Sequence, residues 1–273
     1  MNLNKVKSYK LDPYILDFVT KTNRHVQYGG ALPLKINVNF EDSEYVMEGE
    51  KHDDDYLYSL YSKKKDFTCV SILILRKRKV AHISNLSSFK NCVKNGPKIG
   101  TKMLKLTMKF LKENKHVFNI NKVTLVDVSF YPCNNQNIQL ALLKTLQTGD
   151  TWYGKFNFLP YDDDKDKPHE KLIELYNNNK QIMQTLTIKD CYSIIKKHIV
   201  SAFEELNDKK LNLENILKVL SKCRDKSMLL SKFIGIFLGK YDKTCVLFEK
   251  FYLKFCLDIG IFNFNHNVFY VNI

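Results

Sequence analysis

The chain has 273 residues, of which 44% are hydrophobic and 12% aromatic, enough apolar side chain for a sizeable core and too much for extended disorder. The net charge is +14, but only four of the 43 basic residues are Arg, the side chain best suited to bidentate phosphate and guanine contacts, so nucleic acid is the least favoured partner. No apolar run approaches the roughly 18 to 20 residues of a membrane span, and the first residues carry no apolar stretch; a soluble, cytoplasmic protein without a membrane partner is expected.

Asp12-Pro13 has the form of a helix start, and Gly29-Gly30 and Pro33 break the chain. Leu34 to Phe40 alternates strictly and predicts a strand with one wet face. The acidic stretch Glu48 to Asp55 predicts a loop, and Tyr56 to Tyr61 a strand. Phe67 to Leu75 is β-branched and apolar, as a central strand is, with Arg76-Lys77-Arg78-Lys79 as a turn and Val80 to Leu86 as its antiparallel partner. Lys102 to Lys112 predicts a helix whose inner face carries Met103, Leu104, Leu106, Thr107, Phe110 and Leu111. Val123 to Val128 predicts a strand, Ile138 to Leu146 a helix, and Phe156 to Tyr161 a strand closed by an acidic turn.

That turn and Pro168 place an expected boundary, dividing the chain into a domain of residues 1–166 and a mainly helical region of residues 167–273. In the latter, Cys191, Ile194, Ile195, Ile199, Ala202, Phe203 and Leu206 make one stripe behind Asp190 as N-cap. Helices over Leu213 to Leu220, Met228 to Leu238 and Cys245 to Leu257 follow, then a short strand over Val268 to Ile273. The seven cysteines are scattered without a Cys-x-x-Cys pair, which predicts free thiols, no zinc site and a reducing compartment.

Two segments carry chemistry. Asn95-Gly96-Pro97-Lys98-Ile99-Gly100-Thr101-Lys102 opens a helix, where free backbone N–H groups and the helix dipole favour a phosphate and Lys98 and Lys102 add charge. About fifty residues on comes Thr151-Trp152-Tyr153-Gly154-Lys155-Phe156-Asn157-Phe158, read as the end of an aromatic-bearing helix running into a buried strand. In this order, around an intervening strand, the two segments resemble the cofactor signatures of the GNAT family of N-acetyltransferases: Gln/Arg-x-x-Gly-x-Gly/Ala at a helix start, then Leu-Tyr-x-Lys-x-Gly-Phe. Asn95 stands where the family has Gln or Arg, Lys98 where it has the first glycine, and Asn157 where it has the glycine before the last Phe. The Lys- and Asn-rich style also resembles GNAT-like proteins of large DNA viruses, which implies a viral protein of the host cytoplasm or the virion.

The resemblance implies an α/β (α+β) fold: a GNAT-like mixed, mostly antiparallel central sheet flanked by helices, with the helical C-terminal region as an extension that closes the acceptor site or forms a homo-oligomer. It implies acetyl-CoA, or another acyl-CoA, as cofactor and an amine as acceptor. Asn85, Leu86, Asn95, Gly96, Lys98, Ile99, Gly100, Thr101 and Lys102 are the implied cofactor contacts, with a backbone N–H near Asn85 or Leu86 polarising the thioester carbonyl. Tyr153 takes the position of the acid, and His82 and Asp127 are the candidate bases. The alternative to an acyltransferase is a GNAT-fold protein that has lost catalysis and serves as a binding or structural module.

Overall fold

A computed structural model describes residues 32–62, 64–87, 92, 98–133, 136–206, 211–240, 244–261 and 268–273. The expected helix start at Asp12-Pro13 and the loop residues Asn95 and Gly96 lie outside them. The protein is mixed α/β, with mostly antiparallel strand pairing and seven α-helices among the described residues. It divides into two compact units, residues 1–123 with 272–273, and residues 124–271. The boundary expected at 166/167 falls inside the second unit, between two strands that pair with each other.

The first unit is an antiparallel meander of β1 (Lys35–Phe40), β2 (Ser43–His52), β3 (Asp55–Tyr61), β4 (Thr68–Leu75) and β5 (Val80–Leu86), covered by helix α1 (Ile99–Phe118). Glu41 and Asp42 both take left-handed φ values, 45° and 55°, as a two-residue hairpin between right-twisted strands requires. The acidic stretch expected as a loop is instead the second half of β2 and its turn. Only Met47 of that strand is buried, so its carboxylates stand on a wet face, where charge is no obstacle to pairing. Gly49 is needed there because a Cβ would come within 2.7 Å of the Tyr58 ring.

Tyr58 is the centre of this unit's core. Its ring packs 5.5 Å from Phe110 and 5.1 Å from Phe118, and its hydroxyl donates to the Pro33 carbonyl at 2.8 Å. Burial pushes the phenol up to about 12, so it donates at any ordinary pH. The buried face of α1 carries the six residues its periodicity predicts, plus Phe118 two turns beyond. Asn119, at φ 55°, ends the helix by donating its N–H to the His116 and Lys115 carbonyls.

The expectation of free thiols needs correction. Cys69 and Cys92 are joined in a disulfide, and Cys245 is disulfide-bonded too; Cys191, Cys223 and Cys256 are free and buried. The sequence conceals the first bond because its partners are 23 residues apart, and it is the antiparallel return of β5 on β4 that brings their Cα atoms to 5.5 Å.

Strand β6 (Lys122–Val126) carries the chain into the second unit. There β7 (Phe130–Cys133) and β8 (Gln136–Gln139) form a hairpin, and helix α2 (Leu140–Thr148) follows it. β9 (Leu159–Asp162) lies between β10 (Lys167–Pro168) and β11 (Val268–Asn272), antiparallel to both. Ile138, expected to open the helix, is instead a strand residue, and the strand expected from Phe156 starts only at Leu159.

Five helices fill residues 170–258: α3 (Glu170–Thr185), α4 (Ile188–Leu206), α5 (Leu213–Asp225), α6 (Leu230–Lys240) and α7 (Thr244–Asp258). The predicted stripe of α4 is buried at Cys191, Ile195, Ile199 and Ala202. Its cap is Thr187 rather than Asp190. The Asp190 carboxylate accepts from the Thr187 N–H at 2.9 Å and its hydroxyl at 2.6 Å, while the Thr187 hydroxyl accepts from the Asp190 N–H at 3.4 Å. That reciprocal pair is a capping box, with Asp190 on the far side of it.

Candidate functional site

In the first unit the residues of interest gather at the end of β5 and the start of α1. The β4–β5 ladder pairs Ser71 with Asn85 and Ile72 with Ile83, so Ser84 is an extra residue pushed out of the ladder as a bulge. Its hydroxyl donates to the Ser71 carbonyl at 3.2 Å. Just beyond, the Asn85 amide donates to the Thr68 carbonyl at 3.1 Å, the Ser87 hydroxyl donates to the same oxygen, and the Ser87 N–H donates to the Cys69 carbonyl at 2.8 Å. Asn85 is thus spent on holding its own strand end. Leu86 is half-buried beside it.

Helix α1 begins at Lys98, which is exposed and left-handed at φ 63°. Among the described residues no side chain caps this end, and its first turn holds no carboxylate to compete for the N–H groups of Ile99, Gly100 and Thr101. Lys102, expected as a cofactor contact, reaches Glu41 at 2.6 Å instead. His82 is half-buried on β5 opposite Leu73 and has interactions of its own.

The second unit gathers the acid–base groups. Asp127 sits one residue past β6, where the strand was expected to continue. Its Oδ1 accepts from the Ser129 N–H at 2.9 Å and from the Ser129 hydroxyl, a local turn that fixes the carboxylate. Its Oδ2 is buried and has no hydrogen-bond partner. Burial holds this carboxyl above the usual carboxylate range, with the Ser129 bonds opposing.

Tyr153 does not end a helix. Helix α2 stops at Thr148 on Gly149, at φ 77°, and Tyr153 precedes a single 3₁₀ turn, Gly154–Phe156. A Cβ on Gly154 would fall into the Asp150 carboxylate, which is why glycine follows the tyrosine. The Tyr153 carbonyl accepts from the N–H groups of Phe156 and Phe158, and Asn157 between them is left-handed at φ 65°. Its ring meets Trp152 edge-on at 4.7 Å, Phe158 at 5.9 Å and Phe269 at 6.3 Å. Burial first, and the Asp127 charge second, push its phenol far up, so it stays protonated and acts as a donor.

Two further buried groups of the second unit, both on α3, are not anticipated from the sequence. Tyr176 on α3 packs edge-on to Phe269 at 6.1 Å, and its phenol is also pushed up by burial and then by the Asp127 charge. Asn179, one turn further along α3, is fully buried with neither amide atom hydrogen-bonded. Both hide in the polar run Tyr176-Asn177-Asn178-Asn179, where nothing marks an inward face.

Among the described residues no three His, Cys, Asp or Glu side chains converge as metal ligands, and no helix is long and apolar enough to cross a membrane. Comparison with protein-family models, with curated proteins and with solved structures gives no match.

Proposed function

We propose that the protein is an acetyl-CoA-dependent N-acyltransferase of GNAT type, acting on an amine. The observation that carries the reading concerns the two family glycines the chain lacks. Lys98 and Asn157 replace them, and both adopt left-handed backbone, φ 63° and 65°, the conformation for which glycine is the default residue. The turns thus keep a shape proper to glycine although the residues have changed.

The residues fit an anionic cofactor at one place and proton transfer at another. The N–H groups of Ile99, Gly100 and Thr101, with Lys98 beside them, would hold a pyrophosphate. The bulged backbone at Ser84 to Leu86 would offer a donor to a carbonyl oxygen. Bound acetyl-CoA supplies an activated thioester. Asp127, held above the usual carboxylate range by burial, is a stronger base than an exposed carboxylate and takes a proton from an ammonium group. Tyr153, fixed by its ring contacts and its carbonyl bonds, keeps its proton and presents it as a donor.

The test is thermal. A ligand that binds only the native state raises the melting temperature, by about 2.7 kcal/mol of stability at a hundredfold excess over Kd. Millimolar acetyl-CoA is expected to shift the melt upward, and to do so less in Gly100→Asp, which places a carboxylate at the helix start. An unshifted melt at that concentration contradicts the reading.

A further inference from the structure

Charge is not spread evenly over the helices. Helix α1 carries five lysines against one glutamate, whereas α3, α4 and α7 each hold as many carboxylates as lysines. Lys102, Lys105, Lys109 and Lys112 recur at intervals of three and four, which keeps them within roughly 80° of arc at 3.6 residues per turn. Lys98 stands one turn ahead of them, so the row runs for about 21 Å at 1.5 Å per residue. Lys98, Lys105 and Lys112 are exposed and make no ion pair among the described residues. Lys102 pairs with Glu41 and Lys109 with Glu113, both at 2.6 Å, in water-exposed pairs for which a stronger anion can exchange. The core side of α1 packs on Tyr58, and the ladder sets Tyr58 opposite Gly49. Glu44, Glu48 and Glu50 of β2 therefore point to the other side of the sheet, which shields them from an anion approaching α1.

A straight row of lysines about one turn apart matches a linear polyanion. Lysine meets phosphate as a point charge, so the scarcity of arginine argues against base readout and not against backbone binding. Both phenylalanines of α1 are buried, so the row offers no phenyl ring on which an unpaired base could stack. Apart from Val117 at its far end, no large apolar side chain of α1 stands exposed to enter a lipid surface. These features select a duplex, whose phosphates are the denser charge and whose bases are already paired. We propose that the lysine row of α1 binds the phosphate backbone of a nucleic-acid duplex without regard to its sequence. This does not depend on the acyltransferase reading.

Fluorescence anisotropy of the full chain with a labelled DNA duplex of about 20 base pairs, from about 50 to 200 mM salt, tests it. Micromolar binding is expected at the lower salt, with the logarithm of affinity falling linearly against that of salt. Lys105→Ala, Lys109→Ala and Lys112→Ala together keep a strong helix former at each position. They are expected to weaken binding at least tenfold and to flatten the salt slope by about 0.9 for each lost phosphate contact. Lys189→Ala with Lys196→Ala and Lys197→Ala, exposed lysines of α4, removes the same charge and is expected to change affinity less than twofold. Absence of binding at the lower salt, or equal losses in the two variants, overturns the proposal. So does tighter binding to an unpaired strand of the same length, or binding to phosphatidylserine vesicles in place of the duplex.

Discussion

Asp127 is the residue on which stability and function pull apart. Its carboxyl ionises at higher pH folded than unfolded, so the native state holds the proton more tightly. Stability therefore falls as pH rises from the ordinary carboxylate range through the raised folded value, and is flat beyond it. Asp127→Asn removes the buried charge. It is expected to stabilise the protein by roughly 1 kcal/mol at pH 7, the scale of one unsatisfied buried group, with the gain gone below about pH 3.5. Thermal melts of both proteins across that range check it; a variant less stable at pH 7 contradicts the account of the site. Gly154 is the second decisive residue. An added Cβ would lie 2.7 Å from Asp150 Cγ, displacing a carboxylate that pairs with Lys180 at 3.6 Å. Gly154→Ala is expected to cost about 1 to 3 kcal/mol by denaturant titration.

Among elements, the start of α1 and the disulfide invite measurement. Lys98 pays for a left-handed backbone that glycine would adopt freely, so Lys98→Gly is expected to leave the melt unchanged or raise stability by up to about 1 kcal/mol. A clear loss would mean that the Lys98 side chain, not its backbone, shapes the turn. The Cys69–Cys92 bond closes a loop over a sequence separation of 23 residues, and a loop of that size is worth about 3 kcal/mol. Dithiothreitol, or Cys69→Ser, is expected to lower the melting temperature, whereas unaltered melting would show that the bond contributes nothing. Most elements were legible because their periodicity is strong: β3 through β5, α1, and the helices from α4 to α7 follow their apolar patterns. Strand β2 was not, since a strand with one buried residue, Met47, carries almost no alternation. Helix α3 was obscured by its asparagine run, and the disulfide by the distance in sequence between its partners.

On the scale of the whole molecule, each unit carries its own group of candidate residues. The first holds the start of α1, where Lys98 is left-handed, and a bulged strand; the second holds Asp127, Tyr153 and Tyr176. The sequence named Asp127 and Tyr153 as site residues through resemblance. Their mutual influence across 26 positions, and the addition of Tyr176 and Asn179, are products of tertiary packing that no local pattern encodes. The +14 charge has its focus on α1, and the scattered remainder of the lysine excess serves solubility without specifying a partner. The central proposal is that the start of α1 holds an acyl-CoA. Calorimetric titration with acetyl-CoA, with CoA and desulfo-CoA as controls, tests it most directly. The account predicts micromolar binding that Gly100→Asp weakens by at least tenfold. No heat of binding in the unaltered protein, or binding indifferent to Gly100→Asp, would contradict it.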